Sequence, residues 1–201
     1  MYLFYIFAVA AVATASVTHD GACPDIKPVP NFNVTAYQGK WYEIQKFPTE
    51  AEKNGKCASA EYVLEGDVVM VTNRHVVGNV QAVVTGTAKL AEDANKAGKL
   101  VVALNFGELT REQPLNVVAT DYANYAIAHN CKNDDKKKTH QDNLWILSRT
   151  KKLEGDAKTA VDNFLKEHAK EIDTSKLITT DFSDEACKFD STTIVKEPAK
   201  H

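Results

Sequence analysis

Four cysteines, Cys23, Cys57, Cys131 and Cys187, are the residues of this chain whose type most directly implies covalent chemistry. None stands in a C-x-x-C pair, the spacing that zinc sites and thiol–disulfide exchange use. In a secreted chain an even number of cysteines reads as two disulfides, and the sequence leaves three pairings open. His140 and Asp142 lie two apart, which offers half a metal site; with no further ligands nearby in sequence, a hydrogen-bonding pair is the preferred reading and no metal is expected. Asn33-Val34-Thr35 is an N-glycosylation acceptor sequence. No G-x-S-x-G, H-E-x-x-H, Walker loop or dinucleotide fingerprint occurs, so the chemistry expected is binding and not catalysis.

The first fifteen residues set the expected compartment. Residues 1–15, "MYLFYIFAVAAVATA", are apolar and end on Ala13-Thr14-Ala15, which fits the small-x-small rule for signal-peptide cleavage and places the mature start near Ser16. The run carries no positive charge at its front, and a retained anchor is the alternative, but it is short for a membrane span of about 20 residues. A secreted, extracellular protein is therefore expected, with Asn33 a glycosylation candidate. No later segment is apolar enough to cross a membrane as a helix. A net charge of −3 offers no polybasic surface for nucleic acid.

What must position these residues is a sheet. "GKWYEIQKF", Gly39 to Phe47, alternates strictly, placing Trp41, Glu43, Gln45 and Phe47 on one face. Seven more such runs follow, opening at Ala58, Asp67, Asn79, Gly98, Glu112, Asn124 and Asn143, each joined to the next by a link short enough for antiparallel neighbours. One helix is expected in "EGDAKTAVDNFLKEHAKEID", with Asp156 as its N-cap and Ala157, Ala160, Val161, Phe164, Leu165 and Ala169 on its apolar stripe. Eight up-and-down strands suit an all-β closed barrel with the helix packed outside, which removes sheet edges and can enclose a small ligand; a β-sandwich is the rival. The expected organisation is a leader over 1–15, a barrel domain with its helix over 16–187 and a flexible tail over 188–201.

Three segments in order carry a family resemblance: "GKWYEI" near the front, "ATDYANYAI" from Ala119 and "LSR" ending at Arg149. Together they resemble the signature segments of lipocalins, and the resemblance covers nearly all of the chain after the leader. It implies that Trp41 closes one end of the barrel and that Arg149 lies across its indole. Longer stretches, "DGACPDIKPV", "GKCASAEY", "DKKKTHQDNLWILSR", "LEGDAKTAVDNFL" and "DFSDEAC", resemble the insect bilin-binding lipocalins, the insecticyanin and bilin-binding protein group. That closer resemblance implies the pairings Cys23–Cys131 and Cys57–Cys187.

With Cys131 turned outward by such a bridge, alternation turns Ala126, Ala128 and Asn130 inward, and residues that small favour an internal cavity. Aligned by the resemblance, the inward set continues with Val69, Val71, Asn73, His75, Val84, Leu104, Phe106, Gln141, Asn143 and Trp145, with Leu109 at the loop leading out of the fifth strand. From it comes a candidate ligand-binding set of Asn73, His75, Val84, Leu104, Phe106, Leu109, Asn130, Gln141, Asn143 and Trp145. The resemblance implies biliverdin, held noncovalently as a pigment, with Phe106 and Trp145 against its rings and the amides of Asn73, Asn130 and Asn143 accepting from its pyrrole N–H groups. Its propionates belong at the mouth, near Lys132 or Arg111. With every cysteine in a bridge no thiol is left for a thioether, nor for the cavity thiolate that the prostaglandin-isomerising lipocalin uses. "ATDYANYAI" equally resembles apolipoprotein D, so a carrier of a retinoid, fatty acid or sterol is the alternative. Self-association through exposed tyrosines such as Tyr122 or Tyr125 is left open.

Overall fold

The computed structural model describes residues 17–196, so the expected leader lies outside the described residues. Eight antiparallel strands follow one another as neighbours: β2 (Gly39–Lys46), β3 (Lys56–Glu65), β4 (Val68–Val77), β5 (Val80–Leu90), β6 (Lys99–Phe106), β7 (Leu109–Thr120), β8 (Tyr125–Asp134) and β9 (Thr139–Ser148). β9 then pairs back with β2, Tyr42 opposite Ser148 and Lys46 opposite Trp145, closing the barrel. The expected fold is the one observed. β1 (Val17–Asp20) extends the wall, pairing Val17–Asp20 with Asp142–Thr139 where β9 has passed beyond β2.

Alternation along the barrel divides its apolar residues into two cores. Trp41, Tyr62, Val71, Val102, Leu115, Ala126, Ala128 and Leu147 face the inside. Phe47, Val118, Ile127, Leu144 and Ile146 face outward and are covered by Val161 of α2 (Gly155–Glu167), with Ile26 and Ile172 from the flanking chain. The helix begins two residues earlier than the expected cap implies: Glu154 is the N-cap, and Asp156 sits in the first turn, where a carboxylate is still favoured by the positive end of the helix dipole.

One departure in β2 matters for the interior. The register with β9 skips between Glu43 and Gln45, so Ile44 is an extra residue and the phase of alternation reverses after it. Trp41 and Glu43 point inward as expected, but Gln45 and Phe47 do not; Lys46 takes the inward place and Phe47 joins the outer core.

Both bridges form as the resemblance implied, Cys23–Cys131 and Cys57–Cys187. They enclose long stretches of chain, with sequence separations of 108 and 130, and on the loop-entropy model each stabilises by about 5 kcal/mol. A short helix α1 (Val34–Tyr37), capped by Asn33 through Oδ1 accepting from the Ala36 N–H, leads into β2. Near the other end β10 (Ile178–Thr179) pairs with the end of β2. The segment beyond Cys187 is not wholly loose as expected: β11 (Ser191–Ile194) lies parallel to the start of β5. Its backbone N–H and C=O groups find partners there that the sequence pattern alone did not disclose.

Candidate functional site: the barrel cavity

The floor of the barrel is aromatic. The Arg149 guanidinium lies 3.5 Å from the centre of the Trp41 ring. Its nitrogens also donate to the carbonyl oxygens of Tyr122, Lys40 and Ala36, at 3.1, 3.0 and 3.2 Å. Gly39 holds φ at +91°, a backbone conformation that side-chain-bearing residues rarely adopt, which is why a glycine stands two residues before the tryptophan. Tyr37 packs on Trp41 and Tyr62 with ring centres 5.1 and 5.2 Å apart. Burial pushes the Tyr62 phenol up to about 12, so it stays neutral.

Above this floor the barrel is hollow. A cavity of about 700 Å³ opens between the strands, within the range of about 300–1,000 Å³ typical of small-molecule sites. β4 contributes Asn73 and His75 to its wall, β5 contributes Val84, and β6 contributes Leu104 and Phe106. β8 adds Ala128 and Asn130, and β9 adds Gln141, Asn143 and Trp145. Nine of the ten candidate residues therefore meet around one space. Leu109 does not. It pairs with Phe106 across the tip of the β6–β7 hairpin and is 46% exposed, because Gly107-Glu108 turns the chain back just beyond the rim. Arg111 and Lys132 stand at the open end.

The amides are not equivalent. Asn130 Nδ2 donates to the Pro114 carbonyl, which leaves its own carbonyl oxygen available as an acceptor. His75 is desolvated enough that burial lowers its pKa, favouring the neutral ring.

A buried cation beside the acidic part of the wall was missed in the sequence. Lys46 Nζ lies 2.7 Å from Glu43 Oε1 and 3.3 Å from Glu52 Oε2, and Thr49 donates its hydroxyl to Glu52 Oε2 at 3.0 Å. A single ammonium faces two carboxylates, and Glu43 is the more buried of the two. Burial, reinforced by the charge of Glu52, raises the Glu43 pKa to about 8 against the pull of Lys46. Glu43 on the Trp41 face was a readable signal, a carboxylate among aromatic neighbours; Lys46 was hidden by the bulge at Ile44.

Outside the barrel, Asp142 is buried between His129 and His140, with Nε2 of each at 3.1 and 3.4 Å from its oxygens. Cys131 lies close by, but its sulfur is in the Cys23 bridge. His140 Nδ1 meets the Gly21 carbonyl at 3.1 Å. The His140–Asp142 pair thus belongs to the packing beneath β1 and does not reach the cavity.

The family described as lipocalin / cytosolic fatty-acid binding protein matches residues 38–184. The chain is a lipocalin. Along 94% of its length this lipocalin is 47% identical to the bilin-binding protein of Pieris brassicae, covering 98% of that protein. Its fold superposes on the solved structure of insecticyanin from the tobacco hornworm Manduca sexta with a TM-score of 0.87 and 42% identity, covering 93% of this chain and all of the other. Apolipoprotein D of Oryctolagus cuniculus is 33% identical over 85% of the lipocalin and 88% of its own length.

Proposed function

We propose that this lipocalin is a secreted carrier that holds a bilin, specifically biliverdin, noncovalently in its barrel. The observation that carries the reading is the cavity of about 700 Å³ in a chain 47% identical to a bilin-binding protein over nearly its whole length. A linear tetrapyrrole needs apolar walls for its conjugated rings, acceptors for its N–H groups and cations for two propionates. Phe106, Trp145 and Leu104 supply the first, Asn73, Asn130 and Asn143 the second, Arg111 and Lys132 at the mouth the third. All four cysteines are in disulfides, so attachment through a thioether has no thiol to use. Two bridges accord with an oxidising, extracellular setting, and the exposed Asn33 at the head of α1 is accessible for glycosylation.

Adding biliverdin to purified protein tests this reading. Binding generates absorption bands in the red and near-ultraviolet and quenches Trp145 fluorescence; protein that stays colourless with excess biliverdin overturns it. A second reading, a carrier of a retinoid, fatty acid or sterol, is favoured by the likeness to apolipoprotein D. Competition of those ligands against biliverdin separates the two.

A further inference from the structure

The wall of the cavity has a notch, and the chain's own C-terminal segment fills it. β6 pairs with β5 only from Thr85 to Leu90. The two backbones run close at Gly86, where a Cβ would fall 2.0 Å from the Ala103 carbonyl oxygen, but one residue past the Thr85–Asn105 pair β6 ends at Phe106 and turns into β7, leaving the start of β5 without a neighbour on that side. The start of β5, Val80–Val83, then pairs on that side with Ser191–Ile194 of β11 instead. The Asp190 N–H donates to the Asn79 carbonyl at 2.8 Å and the Val195 N–H to that of Val83 at 2.9 Å. Across the notch, the Lys196 carbonyl oxygen lies 3.0 Å from where a Cβ on Gly107 would be, so the segment bridges from β5 to the β6–β7 hairpin. Val195 lines the cavity. Cys187, just upstream, is tied to Cys57.

What holds this segment differs from what holds the rest of the wall. Every residue of β11 is exposed, Ile194 at 62%, so its attachment rests on main-chain hydrogen bonds with little apolar burial. Stretches of that kind open at low cost relative to global unfolding. The segment also lies beyond residues 38–184, the part that the family match covers.

We propose that Ser191–Lys196 is a removable panel of the binding cavity, which completes its wall through Val195 and through whose opening between β5 and the β6–β7 hairpin ligand is exchanged. The choice of biliverdin as probe rests on the function proposed above; the panel itself does not. The test compares the full-length protein with a chain ending at Asp190, which keeps both disulfides. Each is loaded with biliverdin, and release into excess serum albumin is followed by absorbance. The expected result is release about tenfold faster or more from the shortened chain, with little change in thermal midpoint. Val195→Asp in the full-length chain should likewise speed release, while Phe189→Ser, on the exposed chain just before the segment, should not. Equal release rates for the full-length, shortened and Val195→Asp proteins overturn the panel. If the full-length protein binds no biliverdin, the bilin reading fails, and the same comparison made with retinol, followed by its fluorescence, still decides the panel by the same criterion.

Discussion

The two ends of the barrel are built on opposite principles from the same eight strands. At the floor, Trp41, Tyr37 and Tyr62 pack ring on ring and Arg149 ties down four carbonyl groups around them. Toward the mouth, Ala128, Val84 and a set of amides line a space that they do not fill. The contrast teaches that stability and capacity have been allotted to separate places, so a change at one end should leave the property of the other largely alone.

That separation can be broken or sharpened by substitution. The largest effect is expected at the floor: Trp41→Ala removes a fully buried indole and should cost about 3–5 kcal/mol of stability, read from urea unfolding. Next, Val84→Phe places a ring into the empty space and should weaken biliverdin binding by about 100-fold, equivalent to about 2.7 kcal/mol, while urea unfolding changes little. Comparable loss of stability in Val84→Phe would show that the mouth is as closely packed as the floor.

Glu43 lies between the two ends and gives a third test. Its folded pKa of about 8 stands above the ordinary 4.5, so the native state keeps a proton that the unfolded chain releases. The stabilisation is full below about pH 4.5 and is lost as pH rises toward 8, with a slope of at most about 1.4 kcal/mol per pH unit. Glu43→Gln should flatten that decline, measured as thermal midpoints from pH 5 to 9. The smallest effect belongs to the rim, where Lys132→Ala should weaken biliverdin binding by about threefold and lose even that difference in high salt, because exposed charges are screened.

The barrel was legible because alternation, turns and helix period all agreed, and the inward set followed wherever that alternation ran unbroken, as from Val71 to His75 and from Asn143 to Trp145. Reading failed where the local rule was interrupted. An extra residue at Ile44 gave Lys46 instead of Gln45 the inward phase beside Glu43 and sent Phe47 outside, and nothing in "YEIQKF" marks that residue as the bulge. Leu109, expected at the loop leading out of the fifth strand, stands instead on the strand beyond a tight hairpin and clear of the cavity, because sequence does not show how far the cavity extends past the rim. The pairing of β11 with β5 is a contact between distant parts of the chain, and its residues carry no apolar alternation to announce it.

Both disulfides join a segment near a chain end to the barrel wall. A protease that cut the backbone between Cys23 and Gly39, or between Ser148 and Cys187, would sever the peptide without freeing either piece. Such nicked molecules would migrate as intact protein until a reducing agent was added, so accumulated backbone damage would stay hidden on a non-reducing gel.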